Sequence, residues 1–236
     1  MLRVITMTAY RRPAYTREVL AALAACDGIE DWLLLPNVEP GNEEVLEAYK
    51  SWDACESKLV VNPKRLGLNR NTHASVFRAF EHRADVILHL EDDTVPSPDA
   101  LRYFDWAVRE ILARDERHSI LLASGYNKPK TKPRPDQYHA CDYRPIWTPW
   151  GWAVDLPRLK WLIVHWCFRN RKCFTCQFRA KYRRTRREVF PMLSRIQNIG
   201  YELGENGRSP EWYRANHRTL WVAGSQIVGD FGLSPT

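Results

Sequence analysis

The sequence predicts an α/β fold built on a mainly parallel sheet. Three observations carry that prediction. Apolar runs alternate with segments of helical periodicity from residue 2 to residue 123, the order that parallel sheets with covering helices produce. The runs are long enough for strands and too short for buried helices. Polar residues follow the carboxyl ends of the runs, at Tyr10, Glu39, Arg65 and Asp93. In such sheets ligands gather beyond the carboxyl ends of the strands.

In order, LRVITMTA at residues 2–9 reads as a buried strand. A helix follows, with Val19, Leu20, Leu23 and Ala24 on one face and Thr16 as its N-cap. DWLLL at 31–35 is a second strand, ended by Pro36. Glu43 to Lys50 reads as a helix, and Leu59 to Val61 as a third strand. After a turn at Gly67, Thr72 to His82 has helical spacing. DVILHL at 85–90 is a strand that runs straight into Glu91, Asp92 and Asp93. Asp99 to Ala113 is an amphipathic helix, with Leu101, Phe104, Val108 and Leu112 on one face. Ile120 to Ala123 is a fifth strand. Residues 128–136, KPKTKPRPD, read as an extended loop. After residue 145 the periodicity weakens and Trp147, Trp150 and Trp152 cluster around Gly151.

The chain has 236 residues, 44% of them hydrophobic. That is read as a single domain, with a donor half at 1–100 and an acceptor half at 101–236 that carries a basic insert at 160–188. No run approaches the roughly 18 apolar residues of a membrane span. The start reads as a strand, not a leader, so a cytoplasmic protein is expected.

Three consecutive acids after an apolar strand repel one another and resist burial. A hard divalent cation, Mg2+ or Mn2+, removes that cost, because it prefers carboxylate and phosphate oxygens. A solvated acidic turn capping the next helix is the competing reading.

Residues 86–104, VILHLEDDTVPSPDALRYF, resemble the metal-binding segment of nucleotide-sugar-dependent glycosyltransferases of the GT-A fold. Four more segments resemble that family in the same order. They are VITMTAYRRP, LVVNPKRLGLNRNTHASVFRAF, PWGWAVD and FPMLSRIQNIGYELG, and together they span about residues 2–204. The resemblance implies a GT-A-like (Rossmann-like) fold, a UDP-sugar donor and Mn2+ or Mg2+ as cofactor. It implies that Thr8, Tyr10 and Arg12 lie near base and phosphates, and Glu39 near the uridine. Arg65 and Asn71 would approach the diphosphate or sugar, unless they serve the turn or cap the helix. Glu91 and Asp92 would contact hydroxyls, and Asp93 would ligate the metal. Gly151 and Trp152 would shape the sugar pocket, with a core role open for Trp152.

The chain departs from the family where an acidic base is expected. LKWLIVHWCFRNRKCFTCQF contains no acid. Asp155, three residues past Trp152, is the preferred base, with a helix cap as the alternative. A retaining route, in which substrate phosphate takes the proton, would need no base. The family's late histidine is displaced to His217, a candidate metal ligand or a surface residue.

His165, Cys167, Cys173 and Cys176 are the right ligand types for zinc. A redox pair or buried thiols are the alternatives. The net charge of +7 is concentrated. Arg169, Arg171, Lys172, Arg179, Lys181, Arg183, Arg184, Arg186 and Arg187 come with no acid among them, interleaved with Phe168, Phe174, Phe178 and Tyr182. That pattern suits a nucleic-acid backbone with aromatic faces for bases, or else a solvated basic helix. The expected activity is therefore sugar transfer to hydroxymethylated pyrimidines in DNA, a chemistry found in phages. A cell-envelope saccharide transferase is the first alternative. A nucleic-acid-binding protein with a vestigial transferase site is the second.

Overall fold

The computed structural model describes residues 1–128, 133–146, 150–168, 174–200, 211 and 230–233. The chain opens with β1 (Arg3–Ala9) and α1 (Pro13–Ala24). The helix starts three residues before Thr16, with Pro13 in its first turn. Proline is at home there, because its fixed φ suits the helix and its missing N–H would be unpaired anyway. Thr16 lies inside the helix, and its hydroxyl donates to Arg12 O at 3.0 Å. β2 (Trp32–Val38) runs through Pro36 rather than ending there. The missing N–H faces the β3 side of the strand, where Leu34 donates to Glu56 and regular pairing is confined to Asn37 and Val38.

α2 (Glu43–Lys50) is capped by Asn42, which accepts from Val45 N at 3.0 Å. β3 (Val60–Val61) leads to α3 (Leu68–Glu81), which begins at Gly67 rather than at Thr72. Then come β4 (Val86–Glu91), β5 (Thr94–Pro96) and α4 (Ala100–Trp106), which continues as a π-helical stretch to Leu112. β6 (Ile120–Ser124), β7 (Ala140–Pro145), β8 (Trp152–Val154), α5 (Leu156–Val164) and α6 (Phe174–Tyr182) follow. β9 (Arg187–Pro191), β10 (Ile196–Asn198) and β11 (Gly232–Leu233) complete the elements.

The main sheet has the order β11-β7-β9-β6-β8-β4-β1-β2-β3. β3, β2, β1 and β4 are mutually parallel, and β6 is parallel to β9. β8 runs antiparallel to both β4 and β6, and β7 runs antiparallel to β9. The result is a mainly parallel, mixed α/β sheet of the GT-A type. Alternation along the strands sends side chains to two core layers. Ile5, Met7, Leu34 and Leu88 pack with α1 and α4 on one face. Val4, Leu33, Leu35 and Ile87 pack with α3 and α5 on the other. No helix among the described residues is long and apolar enough to cross a membrane.

β5 and β10 form a separate antiparallel ribbon. Its anchor is a fully buried ion pair. Arg195 lies against Asp99 at 3.0 Å and also donates to Leu193 O at 2.6 Å. Asp99 accepts a further bond from the Ser97 hydroxyl at 2.8 Å. Removing one partner leaves an uncompensated buried charge, so Arg195→Met is expected to cost about 3–5 kcal/mol. Denaturant unfolding reads this directly, and a loss below about 1 kcal/mol would remove the pair's role as anchor.

Candidate functional site

The carboxyl ends of β1, β2, β3 and β4 share one edge of the sheet, and each continues into a polar segment. β1 delivers Tyr10 and Arg12, β2 delivers Glu39, β3 leads to Arg65, and β4 delivers the three acids. Thr8 pairs in register with Asn37 on one side and Glu91 on the other, at the centre of this edge.

Arg12 is the hub. Its Nη1 donates to Asp93 Oδ2 at 2.6 Å, its Nη2 to Asp92 Oδ1, and its Nε to Asp92 Oδ2 at 3.4 Å. Tyr10 N also donates to Asp92 Oδ2, at 3.4 Å. Burial works against the Arg12 charge, but the fields of Asp93 and Asp92 outweigh it and hold the guanidinium above its ordinary pKa. Burial, and then the charge of Asp93, pushes Glu91 up to about 8. Burial pushes Asp92 up to about 6, even against Arg12. Asp93 Oδ1 is buried with no hydrogen-bond partner among the described residues.

That orphaned oxygen lacks the partner that a hard cation would supply. Among the described residues no three His, Cys, Asp or Glu side chains are grouped to hold a metal ion. A cation here would take Asp93 and complete its shell from phosphate oxygens and water, as Mg2+ commonly does.

The raised carboxylates have a consequence for stability. Between the ordinary pKa of Glu91, 4.5, and its folded value of about 8, the folded chain holds a proton that the unfolded chain has released. The stability this contributes is complete below the lower value and is lost as pH rises through the upper. Melting temperature is therefore expected to fall between about pH 5 and about pH 8 in the metal-free protein, and Glu91→Gln is expected to flatten that fall. Thermal melts of both proteins at the two pH values test this. A variant that melts as steeply with pH as the parent would contradict it.

Glu39 is buried and already engaged. It accepts from Leu66 N at 2.9 Å, Gly67 N at 2.7 Å and Asn62 Nδ2 at 3.0 Å. It thus fixes the loop before α3. Asn71 belongs to a buried asparagine network: Asn37 Nδ2 donates to Asn71 Oδ1 at 2.7 Å, and Asn62 Nδ2 donates to it at 2.8 Å. The exposed Arg65 lies with its guanidinium carbon 4.7 Å from the centre of the Tyr10 ring.

Two residues at this edge carry no sequence expectation. The Tyr49 hydroxyl on α2 is buried with no hydrogen-bond partner among the described residues. Burial, and then the Asp92 charge, raises its pKa. Gly200 follows β10 and crosses directly over Asp93. A Cβ there would stand 1.8 Å from Asp93 Oδ2, and the neighbouring Ile199 N donates to Asp93 O at 2.8 Å. Gly200 lies inside the FPMLSRIQNIGYELG segment, which was the available signal.

Other expected residues do not join the site. Asp155 caps α5, accepting from Arg158 N at 2.9 Å, and pairs with Arg158 Nη1 at 2.5 Å. β8 runs away from the acid edge: Trp152 sits opposite His89, and Val154 opposite Ile87. Asp155 therefore lies at the opposite edge of the sheet from Asp93. Trp152 is a core residue, 1% exposed, with its ring 5.2 Å from His89. Gly151 has φ +57°, and a Cβ there would meet Ile196 at 2.5 Å, so β10 packs onto bare backbone.

His217, Arg169, Arg171, Lys172 and Cys173 lie outside the described residues, as does the side chain of Cys176. The His165 ring stacks on Trp161 at 4.1 Å, and its Nδ1 is 2.8 Å from Trp161 O. Cys167 is exposed and forms no disulfide among the described residues. Arg179, Lys181, Arg183 and Arg184 are exposed. The aromatics between them are not free for bases, because Phe178 and Tyr182 pack against Trp161. Phe168 does remain exposed. The insert begins near the start of α3, where Trp166 Nε1 donates to Asn69 Oδ1 at 2.7 Å.

No protein-family model matches the chain, and no curated protein matches it. Solved structures share the fold. S. aureus TarS residues 1–349 in complex with UDP superposes with a TM-score of 0.57 at 14% identity, over 82% of this chain and 58% of that one. The S. aureus TarS structure not limited to residues 1–349 gives 0.51 at 13% identity, over 82% and 35%. The mannosyltransferase PcManGT of Pyrobaculum calidifontis, in complex with GDP-Man and Mn2+, reaches only 0.49 at 17% identity, over 68% and 46%. The chain thus spans little more than half the length of TarS 1–349.

Proposed function

We propose that this chain is a metal-dependent glycosyltransferase that takes a sugar from a nucleoside diphosphate sugar, with UDP as the carrier. The observation that carries the reading is the acid cluster at the carboxyl end of β4, where Asp93 Oδ1 is buried with no partner among the described residues. The UDP complex of TarS, which shares the fold, supports a nucleotide ligand. Asp93 would hold the cation, which would as a Lewis acid offset the charge of the departing diphosphate. Arg12 is placed to meet that diphosphate, and Tyr10 and Arg65 form a cation–aromatic wall beside it. Glu39 acts indirectly, by fixing the loop that presents Arg65. With Asp155 capping α5 at the far edge, the acceptor's proton goes to another group, and a retaining route through substrate phosphate fits that arrangement.

For the acceptor, the reading is hydroxymethylated pyrimidine in DNA, supported by the exposed cations Arg179, Lys181, Arg183 and Arg184. An envelope saccharide is the second reading, favoured by the inward packing of Phe178 and Tyr182. Incubation with labelled UDP-sugars and Mn2+ separates them. Hexose mass increments on digested hydroxymethylated DNA are expected, and replacing the four cations with Gln should weaken DNA transfer at least about tenfold while sparing donor hydrolysis. Transfer to free saccharides and never to DNA would overturn the DNA reading.

A further inference from the structure

We propose that Arg12 is the resident counter-ion of the metal-free site, so that cation and nucleoside diphosphate bind as a cooperative pair. The inference rests on the donor-site reading above and adds an order of events to it. The Arg12 fork spans both carboxylates, with one arm on Asp93 Oδ2 at 2.6 Å and the other two nitrogens on Asp92. The Arg12 side chain is 16% exposed, and those of Asp92 and Asp93 are 5% and 9% exposed. Water screens these charges poorly. A divalent cation arriving alone finds Asp93 Oδ1 free, but meets a guanidinium on the other oxygen of the same carboxylate. Like charges at that spacing oppose one another, so the cation alone binds weakly.

A diphosphate changes the balance, because it offers Arg12 a bidentate anion of its own. The local backbone favours the exchange. Arg12 is also the N-cap residue of α1, where it makes no side-chain cap bond, and the first turn holds no acid. A cation is the wrong charge for a helix N-terminus, and an anion is the right one. Arg12 can thus swing from the carboxylates to a phosphate without leaving α1.

The test is Mn2+ binding, read by loss of the free-ion EPR signal, with and without UDP. The parent is expected to bind Mn2+ at least about tenfold more tightly with UDP present. Arg12→Met is expected to bind Mn2+ alone about tenfold more tightly than the parent and to lose most of the UDP enhancement. Arg12→Lys keeps one charge but not the fork and should fall between the two. It carries the test if Arg12→Met does not fold, and a Lys variant indistinguishable from the parent overturns the proposal. Asp93→Asn should abolish Mn2+ uptake in both conditions. If the parent binds Mn2+ with UDP, yet Arg12→Met binds Mn2+ alone no better than the parent, the counter-ion role is wrong and the donor site stands. If the parent takes up no Mn2+ even with UDP, both fall.

Discussion

Asp93→Asn is expected to lower sugar transfer by about a thousandfold or more. A catalytic cation supplies several kcal/mol of charge stabilisation, and each 1.4 kcal/mol or so is a factor of ten in rate. The substitution keeps the shape of the side chain but removes the charge that holds the ion. Folding should survive, because Arg12 keeps its contacts with Asp92 and the cluster of like charges becomes smaller. Activity and melting temperature measured on the same preparation separate the two effects. A variant that keeps its fold and retains a tenth or more of its activity would remove Asp93 as the metal ligand.

Gly200→Ala is expected to cost about a hundredfold in transfer, for a different reason. The added methyl would stand 1.8 Å from Asp93 Oδ2 and 2.8 Å from Arg12 Nη1. Asp93 is too short to step aside without losing Arg12. The strand beside Gly200 cannot withdraw easily either. β10 is paired to β5, and Arg195, at its start, is locked to Asp99. The carboxylate must therefore rotate, and misplacing a reacting group by about 1 Å costs on the order of a hundredfold. The loss should fall on Mn2+-dependent UDP binding as well as on turnover. Full activity in Gly200→Ala would mean that the segment after β10 moves freely over the acid cluster.

The first hundred residues were largely legible in the sequence, because their signals are local. β1 and β4 are apolar runs closed by polar residues, and their parallel pairing follows from alternation with helices. Helix starts were misplaced at Thr16 and Thr72, where Pro13 and Gly67 set the first turn instead. The segment around β8 was less legible, because its geometry depends on strand direction. Asp155 is three residues from Trp152 in sequence, but in an extended strand that is about 10 Å. The reversal of β8 spends that distance travelling away from Asp93. Gly200 was hidden for the opposite reason. It is over a hundred residues from Asp93 in sequence, and only the β5–β10 ribbon brings the two together. Phe178 and Tyr182 looked available for stacking because charges surround them, yet their helix turns them onto Trp161.

The most direct measurement is calorimetric titration of UDP into the parent protein and into Asp93→Asn, each with Mn2+ and with EDTA. Binding that requires Mn2+ in the parent and disappears in Asp93→Asn is the predicted result. UDP binding that is indifferent to both metal and Asp93, or no UDP binding under any condition, would contradict a metal-held donor at the end of β4.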